Sequence, residues 1–245
     1  MIQIGERKVG PDYPCFIVGE CGINAGTDIN IAKQLIDVAV KAKCDAVKFQ
    51  TFKQTKKRNY PNLSYEDFPK IKKYCDEKGI IFFATPFELY DIDFLNPLVP
   101  VYKIASQYLT QDYFVKRIRT KGKPVICSTG SLIRENKKAT FDEVDHFLSL
   151  MNANLALLYC VSKYPCYDFD SDDFEYFKSK YDNYPIGFSS HSKDIEYSIK
   201  AAELGACIVE QHITLGDDFK CIDSNVSLNP QQLTELVKQI REMEK

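Results

Sequence analysis

Eight short apolar runs alternate with helix-length amphipathic stretches from one end of the chain to the other. The runs span residues 15–21, 46–52, 80–86, 101–106, 124–130, 155–162, 185–191 and 208–213. Apolar strands that alternate with helices are typical of a parallel sheet covered by helices. Eight such units predict an α/β protein with a (β/α)8 TIM barrel, for which about 250 residues is an ordinary length. An open doubly wound sheet is the alternative, but its glycine fingerprint does not follow the first run.

Helix signals lie between the runs, where a barrel needs its helices. Asp28 precedes one apolar stripe, and Asn229-Pro230 places a cap and a first-turn proline before another. The two stripes consist of Ile31, Leu35, Ala39 and Ala42 and of Leu233, Leu236, Val237 and Ile240. Gly79, Gly122 and Gly205 stand where helices are expected to end. No linker divides the chain, so we predict one catalytic barrel domain over residues 1–245.

The composition limits the cellular compartment and the kinds of partner that we expect for this protein. A hydrophobic content of 44%, a charged content of 27% and a formal net charge of -2 fit a soluble globular protein and give no sign of nucleic-acid binding. The nine cysteines include no C-x-x-C pair and mostly lie in apolar runs, as expected of reduced thiols. No segment has the apolar length of a signal peptide or a membrane span. We therefore expect a cytoplasmic protein that acts on small molecules.

Two of the three histidines end neighbouring apolar runs. His191 ends the seventh run and His212 lies at the end of the eighth, with one helix-sized stretch between them. Parallel strands joined in this way have adjacent carboxyl ends, so both imidazoles can converge on one cation. A single histidine at a strand end is more often a hydrogen-bonded structural residue, but Glu210 shares the face of His212 and favours a metal site. The third, His146, lies in a helical stretch over 141–151 and is expected on the surface.

Lysines interrupt two of the apolar runs. Lys48 and Lys103 each need a partner for their charge inside a barrel. One interpretation pairs them with Glu20 or Glu210 as structural ion pairs. The other is an anion clamp, in which two ammonium groups and nearby hydroxyls hold a phosphate and a carboxylate. A metal beside such a clamp indicates chemistry on a small phosphorylated acid.

The two glutamates have three open roles. Glu20 and Glu210 suit a general acid or base, a carboxylate near the metal, or counter-ions of the lysines. The ends of the other runs are also polar and carry Asn24, Gln50, Thr51, Thr85, Ser106, Ser128, Thr129, Ser162 and Tyr164. The basic stretch over 53–58 follows the second run and is interpreted as a solvated loop.

These residues, in this order, resemble the barrel domain of the N-acetylneuraminate (sialic acid) synthase family from about residue 15 to residue 230. The resemblance rests on eight segments: Val18-Gly-Glu20-Cys-Gly-Ile-Asn24, Asp45-Ala-Val-Lys48-Phe-Gln50-Thr51-Phe-Lys, Ala84-Thr85-Pro86-Phe87, Tyr102-Lys103-Ile-Ala-Ser106, Ser128-Thr129-Gly130, Tyr159-Cys160-Val-Ser162-Lys-Tyr164-Pro165, Gly187-Phe-Ser189-Ser-His191 and Glu210-Gln-His212-Ile-Thr214. Eight short motifs that match in the same order are very unlikely to arise by chance.

The resemblance implies a function and a set of roles. The family condenses phosphoenolpyruvate with the open-chain aldehyde of an N-acylated amino sugar, in sialic acid and surface polysaccharide biosynthesis, and uses a divalent metal. By this resemblance His191 and His212 hold the metal, Mn²⁺ first and Mg²⁺ or Co²⁺ as alternatives. Glu20 and Glu210 match acidic positions near the reacting carbons. The positions that match substrate-binding residues are Lys48, Gln50, Thr85, Lys103, Ser106, Ser128, Ser162 and Ser189 for phosphoenolpyruvate and its surroundings, and Tyr164 and Asp223 for the sugar.

The chain also departs from the family pattern, mainly on the sugar side. Ala25-Gly26 lacks the family's histidine, and Gln107-Tyr108 replaces Gly-Glu. Ser190 and Gln211 replace an aspartate and a lysine that usually precede the two metal histidines, and Cys221-Ile222-Asp223-Ser224 replaces Gly-Pro-Asp-His. The sequence ends at Lys245, so the family's C-terminal antifreeze-like domain is expected to be missing.

Several alternatives therefore stay open. The acceptor is an amino-sugar aldehyde, another nonulosonic-acid precursor or a different aldehyde. The protein forms a homodimer, or a separate chain supplies the antifreeze-like domain. A different class of function is a degenerate barrel that binds a ligand or a partner synthase without catalysis. A third possibility is an aldolase in which Lys48 or Lys103 forms a Schiff base.

Overall fold

A computed structural model describes residues 1–51, 60–131, 137–151 and 154–244. The strands are β1 (Ile2–Ile4), β2 (Arg7–Val9), β3 (Phe16–Gly22), β4 (Ala46–Thr51), β5 (Ile81–Pro86), β6 (Tyr102–Ile104), β7 (Val125–Ser128), β8 (Gly130–Ser131), β9 (Lys137–Lys138), β10 (Leu155–Cys160), β11 (Ile186–Ser190) and β12 (Ile208–His212). The helices are α1 (Ile29–Ala42), α2 (Asp67–Lys78), α3 (Leu89–Leu95), α4 (Asp112–Arg119), α5 (Phe141–Leu150), α6 (Ser171–Lys180), α7 (Ile195–Glu203) and α8 (Pro230–Met243).

Eight of these strands form a parallel sheet in the order β5-β4-β3-β12-β11-β10-β7-β6. The sheet curls until β5 and β6 lie side by side, although no ladder joins these two strands in the described parts of the chain. Helices connect the successive strands and pack outside them. The predicted TIM barrel is thus confirmed, and each predicted run contains one barrel strand.

Three of the predicted runs extend two residues past the carboxyl ends of their barrel strands, β6, β7 and β10, and the first two do so for clear local reasons. β6 stops at Ile104, and a 3₁₀ turn over Ser106–Tyr108 follows, in which the Tyr108 N–H donates to the Ala105 carbonyl at 2.9 Å. In the fifth run only Val125–Ser128 belongs to the barrel, because Gly130 and Ser131 pair antiparallel with Lys138 and Lys137. Both deviations lie at the carboxyl ends of strands.

The helices begin and end where the sequence predicted. Asp28 caps α1 by accepting a hydrogen bond from the Asn30 N–H at 2.7 Å. Asn229 and Gln232 form a reciprocal capping box at the start of α8, with Pro230 as its first residue. Gly79 ends α2 with φ of 72°, a left-handed conformation that glycine adopts without steric cost. The third histidine, His146, lies on α5 with an exposed side chain that contacts Asp112 at 2.8 Å, as expected.

A hairpin that the sequence did not predict covers the amino-terminal end of the barrel. β1 and β2 pair antiparallel and bury Ile2, Ile4 and Val9. Arg7 of this hairpin contacts Asp45, immediately before β4, at 2.9 Å, and Asp45 also accepts a hydrogen bond from Arg241 of α8. The amino-terminal end is therefore closed by apolar and ionic contacts.

No helix in the described ranges is both long and apolar enough to cross a bilayer.

Candidate active site

A cavity of about 230 Å³ opens among the carboxyl ends of the barrel strands. It is lined by every residue for which the sequence suggested a catalytic, substrate-binding or metal-binding role: Glu20, Lys48, Gln50, Thr85, Lys103, Ser106, Ser128, Ser162, Tyr164, Ser189, His191, Glu210, His212 and Asp223. The structure thus brings the predicted residues together, because parallel strands in a closed barrel carry their carboxyl ends to one mouth. Their individual roles stay predictions. The basic stretch over 53–58 lies outside the described residues.

Lys48 occupies the centre of an ion-pair network at the base of this cavity. Glu20 and Lys48 are register partners on β3 and β4, so their side chains point to the same face. The Lys48 ammonium lies 2.9 Å from Glu20 and 3.6 Å from Glu210, and it donates to the Thr85 hydroxyl at 3.0 Å. Burial alone would lower the pKa of Lys48, but the two carboxylates raise it above its usual value. This lysine is therefore firmly protonated.

Lys103 is held more loosely. Its ammonium donates to the Ser128 hydroxyl at 2.6 Å and lies 3.8 Å from Glu210. Burial is the main cause of a lowered pKa for Lys103, and the nearby Lys48 adds to it. Burial would raise the pKa of Glu210, yet the two lysines hold it below its usual value. The ion-pair and anion-clamp interpretations are thus compatible, because the paired lysines also line the cavity.

Hydroxyl groups cluster beside the lysines around a glycine. The Ser106 hydroxyl accepts a hydrogen bond from the Gly130 N–H at 3.0 Å. A Cβ atom on Gly130 would lie 2.2 Å from the Ser162 hydroxyl oxygen and 2.8 Å from that of Ser106. The two serines approach the backbone this closely only because position 130 has no side chain.

Substitution of this glycine is a test of the hydroxyl cluster. In Gly130→Ala the new methyl group must displace Ser106 and Ser162, and overpacking of this kind costs about 1–3 kcal/mol. We expect phosphoenolpyruvate affinity, measured by calorimetric titration, to fall about 10–100-fold. Gly216→Ala is the matched control, since nothing lies within 4 Å of a Cβ at that position. If the two variants bind phosphoenolpyruvate with equal affinity, the hydroxyl cluster does not contribute to the anion site.

His191 presents one ring nitrogen to the cavity. Its Nδ1 lies 2.8 Å from the Val161 carbonyl oxygen, to which only an Nδ1–H can donate, so Nε2 carries the lone pair of the ring. Nε2 accepts a hydrogen bond from the Tyr164 hydroxyl at 2.7 Å, and the two rings stack. Burial, with a smaller effect of nearby His212, lowers the pKa of His191 to about 3, so this ring is neutral.

His212 lies across from His191, with 5.7 Å between the ring centroids. Its Nδ1 is 3.4 Å from a carboxylate oxygen of Asp223 and makes no hydrogen bond to any residue that the structure describes. Burial would lower the pKa of His212, but Asp223 raises it above its usual value. Over the described ranges of the chain, no three His, Cys, Asp or Glu side chains are grouped as a complete metal site. Whether the two histidines hold a metal therefore stays a prediction.

Five further residues line the cavity without having been assigned a role from the sequence: Ile23, Phe87, Ala105, Gln107 and Cys160. Cys160 is the last residue of β10, and its sulfur lies 3.9 Å from His191 Nδ1. From the sequence, Cys160 is interpreted only as one of the reduced thiols. The alternation of side chains along β10 is the signal that could place it at the cavity.

Gln107 and Tyr108, which depart from the family pattern, have different surroundings in the structure. Gln107 lines the cavity, whereas Tyr108 is buried and stacks on Phe114 with 4.1 Å between ring centroids. The Tyr108 hydroxyl donates to the Phe87 carbonyl, which follows β5. Tyr108 therefore packs across the line where β5 and β6 meet.

Comparisons with known proteins agree with this geometry. The sequence model of the NeuB family matches residues 54–245. The chain is 35% identical over its whole length to uncharacterized protein MJ1065 of Methanocaldococcus jannaschii, of which it covers 75%. It is 30% identical over 94% of its length to 76% of N,N'-diacetyllegionaminic acid synthase of Campylobacter jejuni. The crystal structure of N-acetylneuraminic acid (sialic acid) synthetase from Leptospira borgpetersenii, in complex with citrate, is similar with a TM-score of 0.90 and 32% identity, over 99% of this chain and 88% of that one.

Proposed function

This chain belongs to the NeuB family, and we propose that it condenses phosphoenolpyruvate with the aldehyde of an N-acylated amino sugar, with the help of a divalent metal. It is a phosphoenolpyruvate-dependent transferase that forms a carbon–carbon bond, related to the sialic acid synthases. The use of a metal and the chemical class of the acceptor are the two points that we propose beyond membership of the family. The observation that carries them is one cavity in which two buried lysines face two buried histidines.

The lysine side of the cavity suits phosphoenolpyruvate. Lys48 and Lys103 supply two ammonium groups, and Thr85 and Ser128 already share hydrogen bonds with them. Ammonium and hydroxyl donors at this spacing bind phosphate and carboxylate oxygens through charge-assisted hydrogen bonds. We therefore place phosphoenolpyruvate against β4, β6 and β7.

The charge of the lining residues argues for an added cation. The two lysines face three carboxylates, those of Glu20, Glu210 and Asp223. Because the carboxylates offset much of the lysine charge, a multiply charged anion gains less from this lining than it would from the two lysines alone, and further positive charge would strengthen its binding. A divalent metal supplies that charge at the point where two buried histidines converge.

The donor set fits a metal of intermediate hardness. His191 Nε2 is fixed as a neutral donor by the hydrogen bond of its Nδ1–H to the Val161 carbonyl, an arrangement common among metal-binding histidines. Among the residues that the structure describes, His212 Nδ1 is buried without a hydrogen-bond partner, and the Asp223 carboxylate lies 3.4 Å from it. These two residues would hold Mn²⁺, or Mg²⁺ or Co²⁺, with water and substrate oxygens as the other ligands. When bound, the metal acts as a Lewis acid that polarises the aldehyde oxygen.

The chain's own residues then direct the reaction. C3 of phosphoenolpyruvate attacks the aldehyde carbon, positive charge develops at C2, water adds there, and phosphate leaves as the C2–O bond breaks. Within the described parts of the chain, Glu20 and Glu210 each have a buried carboxylate oxygen without a hydrogen-bond partner. Such oxygens stabilise the positive charge at C2 and accept the proton of the attacking water. Phosphoenolpyruvate, aldehyde and water thus give a 2-oxo acid and inorganic phosphate.

The acceptor belongs to the amino sugars with a free aldehyde. The names of the similar proteins include both a diacetyllegionaminic acid synthase and an N-acetylneuraminic acid synthetase, which differ in the sugar acid named. We propose the class and not the individual sugar, because Gln107 and Asp223 at the cavity are in segments where this chain departs from the family pattern.

Phosphate release tests the proposal directly. Purified protein with Mn²⁺, phosphoenolpyruvate and a panel of N-acylated hexosamines is expected to release phosphate only when a suitable aldehyde is present. With ¹⁸O in the bridging C–O–P position, the label is expected in the phosphate. A chelator should stop the reaction, and re-addition of Mn²⁺ should restore it.

Three other outcomes would contradict the proposal in different ways. Binding of phosphoenolpyruvate without phosphate release from any aldehyde would favour the degenerate barrel. Chelator-resistant turnover together with borohydride trapping of a carbonyl substrate would favour a Schiff base on Lys103 or Lys48. Label that stays in the 2-oxo acid would exclude C–O cleavage.

A further inference from the structure

Gln211 is a fully buried polar residue between two residues of the candidate active site. Glu210 and His212 precede and follow it on β12 and both line the cavity. Because side chains alternate along a strand, the Gln211 side chain points to the opposite, helix-facing side of the barrel. Its exposed fraction is 0%. A buried amide in this position needs hydrogen-bond partners on several sides.

Three hydrogen bonds meet these needs, and each reaches a different segment. The Gln211 amide nitrogen donates to the Ser192 carbonyl at 2.8 Å and to the Val226 carbonyl at 3.3 Å. Its amide oxygen accepts from the Ser198 hydroxyl of α7 at 3.1 Å. One side chain therefore joins β12, the segment after β11, the last part of the loop that precedes α8, and α7.

The segments joined in this way carry the histidines and Asp223. Ser192 directly follows His191. Val226 closes a turn onto Asp223, because its N–H donates to the Asp223 carbonyl at 3.0 Å. Gln211 is itself bonded through the backbone to His212. The segments that carry His191, His212 and Asp223 thus share one anchor behind the strands.

We propose that Gln211 is a positioning residue, which sets the spacing of His191, His212 and Asp223 for the metal and the aldehyde. The inference rests on the proposed function of this site. It assigns Gln211 no contact with substrate. Its contribution is made through the two backbone carbonyls that it holds, as supporting hydrogen bonds do for ligands in other metal sites.

The neighbourhood of Gln211 explains why a neutral residue is stable there. Its register partner on β11 is Ser190, which is also buried and whose hydroxyl accepts a hydrogen bond from the Ser192 N–H at 3.3 Å. A lone charge at either position would be buried without a counter-ion. The layer behind the histidines is therefore built from neutral hydrogen bonds, and the residues at 190 and 211 are matched to each other.

Two variants of Gln211 test the proposal. Gln211→Met keeps the length of the side chain and removes all three hydrogen bonds, whereas Gln211→Glu keeps only an acceptor for Ser198. We expect Mn²⁺ affinity, measured by calorimetry without substrates, to fall about 10–100-fold in both. The KM for the acceptor should rise, while affinity for phosphoenolpyruvate without metal should change little, because Lys48 and Lys103 lie on other strands.

Asp45→Asn is the matched control for a merely structural effect. Asp45 is a largely buried acceptor of hydrogen bonds from the Ile17 N–H and Arg241 at the closed end of the barrel. Its replacement should lower the melting temperature by several degrees, as the Gln211 variants do. It should leave Mn²⁺ affinity and the KM for the acceptor unchanged. A variant that only loses stability would therefore show a lower melting temperature with wild-type Mn²⁺ affinity.

A rescue experiment completes the test. Gln211→Lys alone buries an uncompensated charge, but Ser190→Asp with Gln211→Lys places an ion pair at register partners. We expect the double variant to recover most of the Mn²⁺ affinity that Gln211→Lys loses. The proposal is overturned if folded Gln211→Met and Gln211→Glu keep wild-type Mn²⁺ affinity and acceptor KM, or if the wild-type chain binds no Mn²⁺. A wild-type chain that binds Mn²⁺ but releases no phosphate would refute the proposed function and leave the role of Gln211 standing.

Discussion

His212→Ala and His191→Ala are each expected to lower metal-dependent condensation by about 10³-fold, because each removes one of two histidine donors and Lewis-acid stabilisation is worth several kcal/mol. The loss should appear first in Mn²⁺ affinity, measured by calorimetry on the protein without substrates. Circular dichroism should show a folded barrel for both variants, since the strands and the rest of the core are unchanged.

His146 provides the internal control for these variants. It is the third histidine of the chain, and its exposed ring contacts Asp112 on the outside of the barrel. His146→Ala should keep wild-type Mn²⁺ affinity and turnover, and surface substitutions of this kind change stability by less than about 0.5 kcal/mol. Full metal-dependent turnover in either His191→Ala or His212→Ala would refute the ligand assignment.

Lys48→Met is expected to reduce both stability and substrate binding. The substitution leaves Glu20 and Glu210 buried beside each other without the ammonium that lies 2.9 Å and 3.6 Å from them. Removing one partner from a buried pair costs about 3–5 kcal/mol, which chemical denaturation will measure. Affinity for phosphoenolpyruvate should also fall, by about 10–100-fold, because a charge-assisted hydrogen bond is lost.

A double variant separates these two effects. Lys48→Met with Glu20→Gln removes one stranded carboxylate charge and should recover much of the stability, without recovering affinity or turnover. Lys200→Met is the control, because Lys200 is about half exposed and contacts Glu203 of the same helix at 3.2 Å. Recovery of turnover in the double variant would show that Lys48 serves only to balance Glu20.

The mouth of the barrel was predictable because it depends on strand ends and not on the path of loops. His191, His212, Lys48 and Lys103 each end or interrupt an apolar run, and a closed parallel barrel brings all such positions to one cavity. The distance between them was not predictable. Whether Lys48 contacts Glu20 depends on the register between β3 and β4, and strand patterns alone leave that register open.

Other features could not be predicted from the local sequence pattern, each for a different reason. The strands of the amino-terminal hairpin are three residues each, too short for alternation to distinguish them from a loop. Cys160 ends a strand that is buried throughout, so polarity gave no sign of its cavity-facing side. The partners of Gln211 at Ser192 and Val226 belong to connecting segments, whose course follows from tertiary packing.

The paired lysines have a consequence for selectivity in a cell rich in phosphate esters. Lys48 faces Glu20 and Glu210, so an incoming anion meets charge that is largely balanced. Inorganic phosphate and other abundant metabolites therefore gain little by entering alone. Under the proposed function, a ligand that binds together with a divalent cation gains much more, so the occupied fraction of the enzyme should depend on both concentrations. Product phosphate, once separated from the cation, should then be a weak inhibitor.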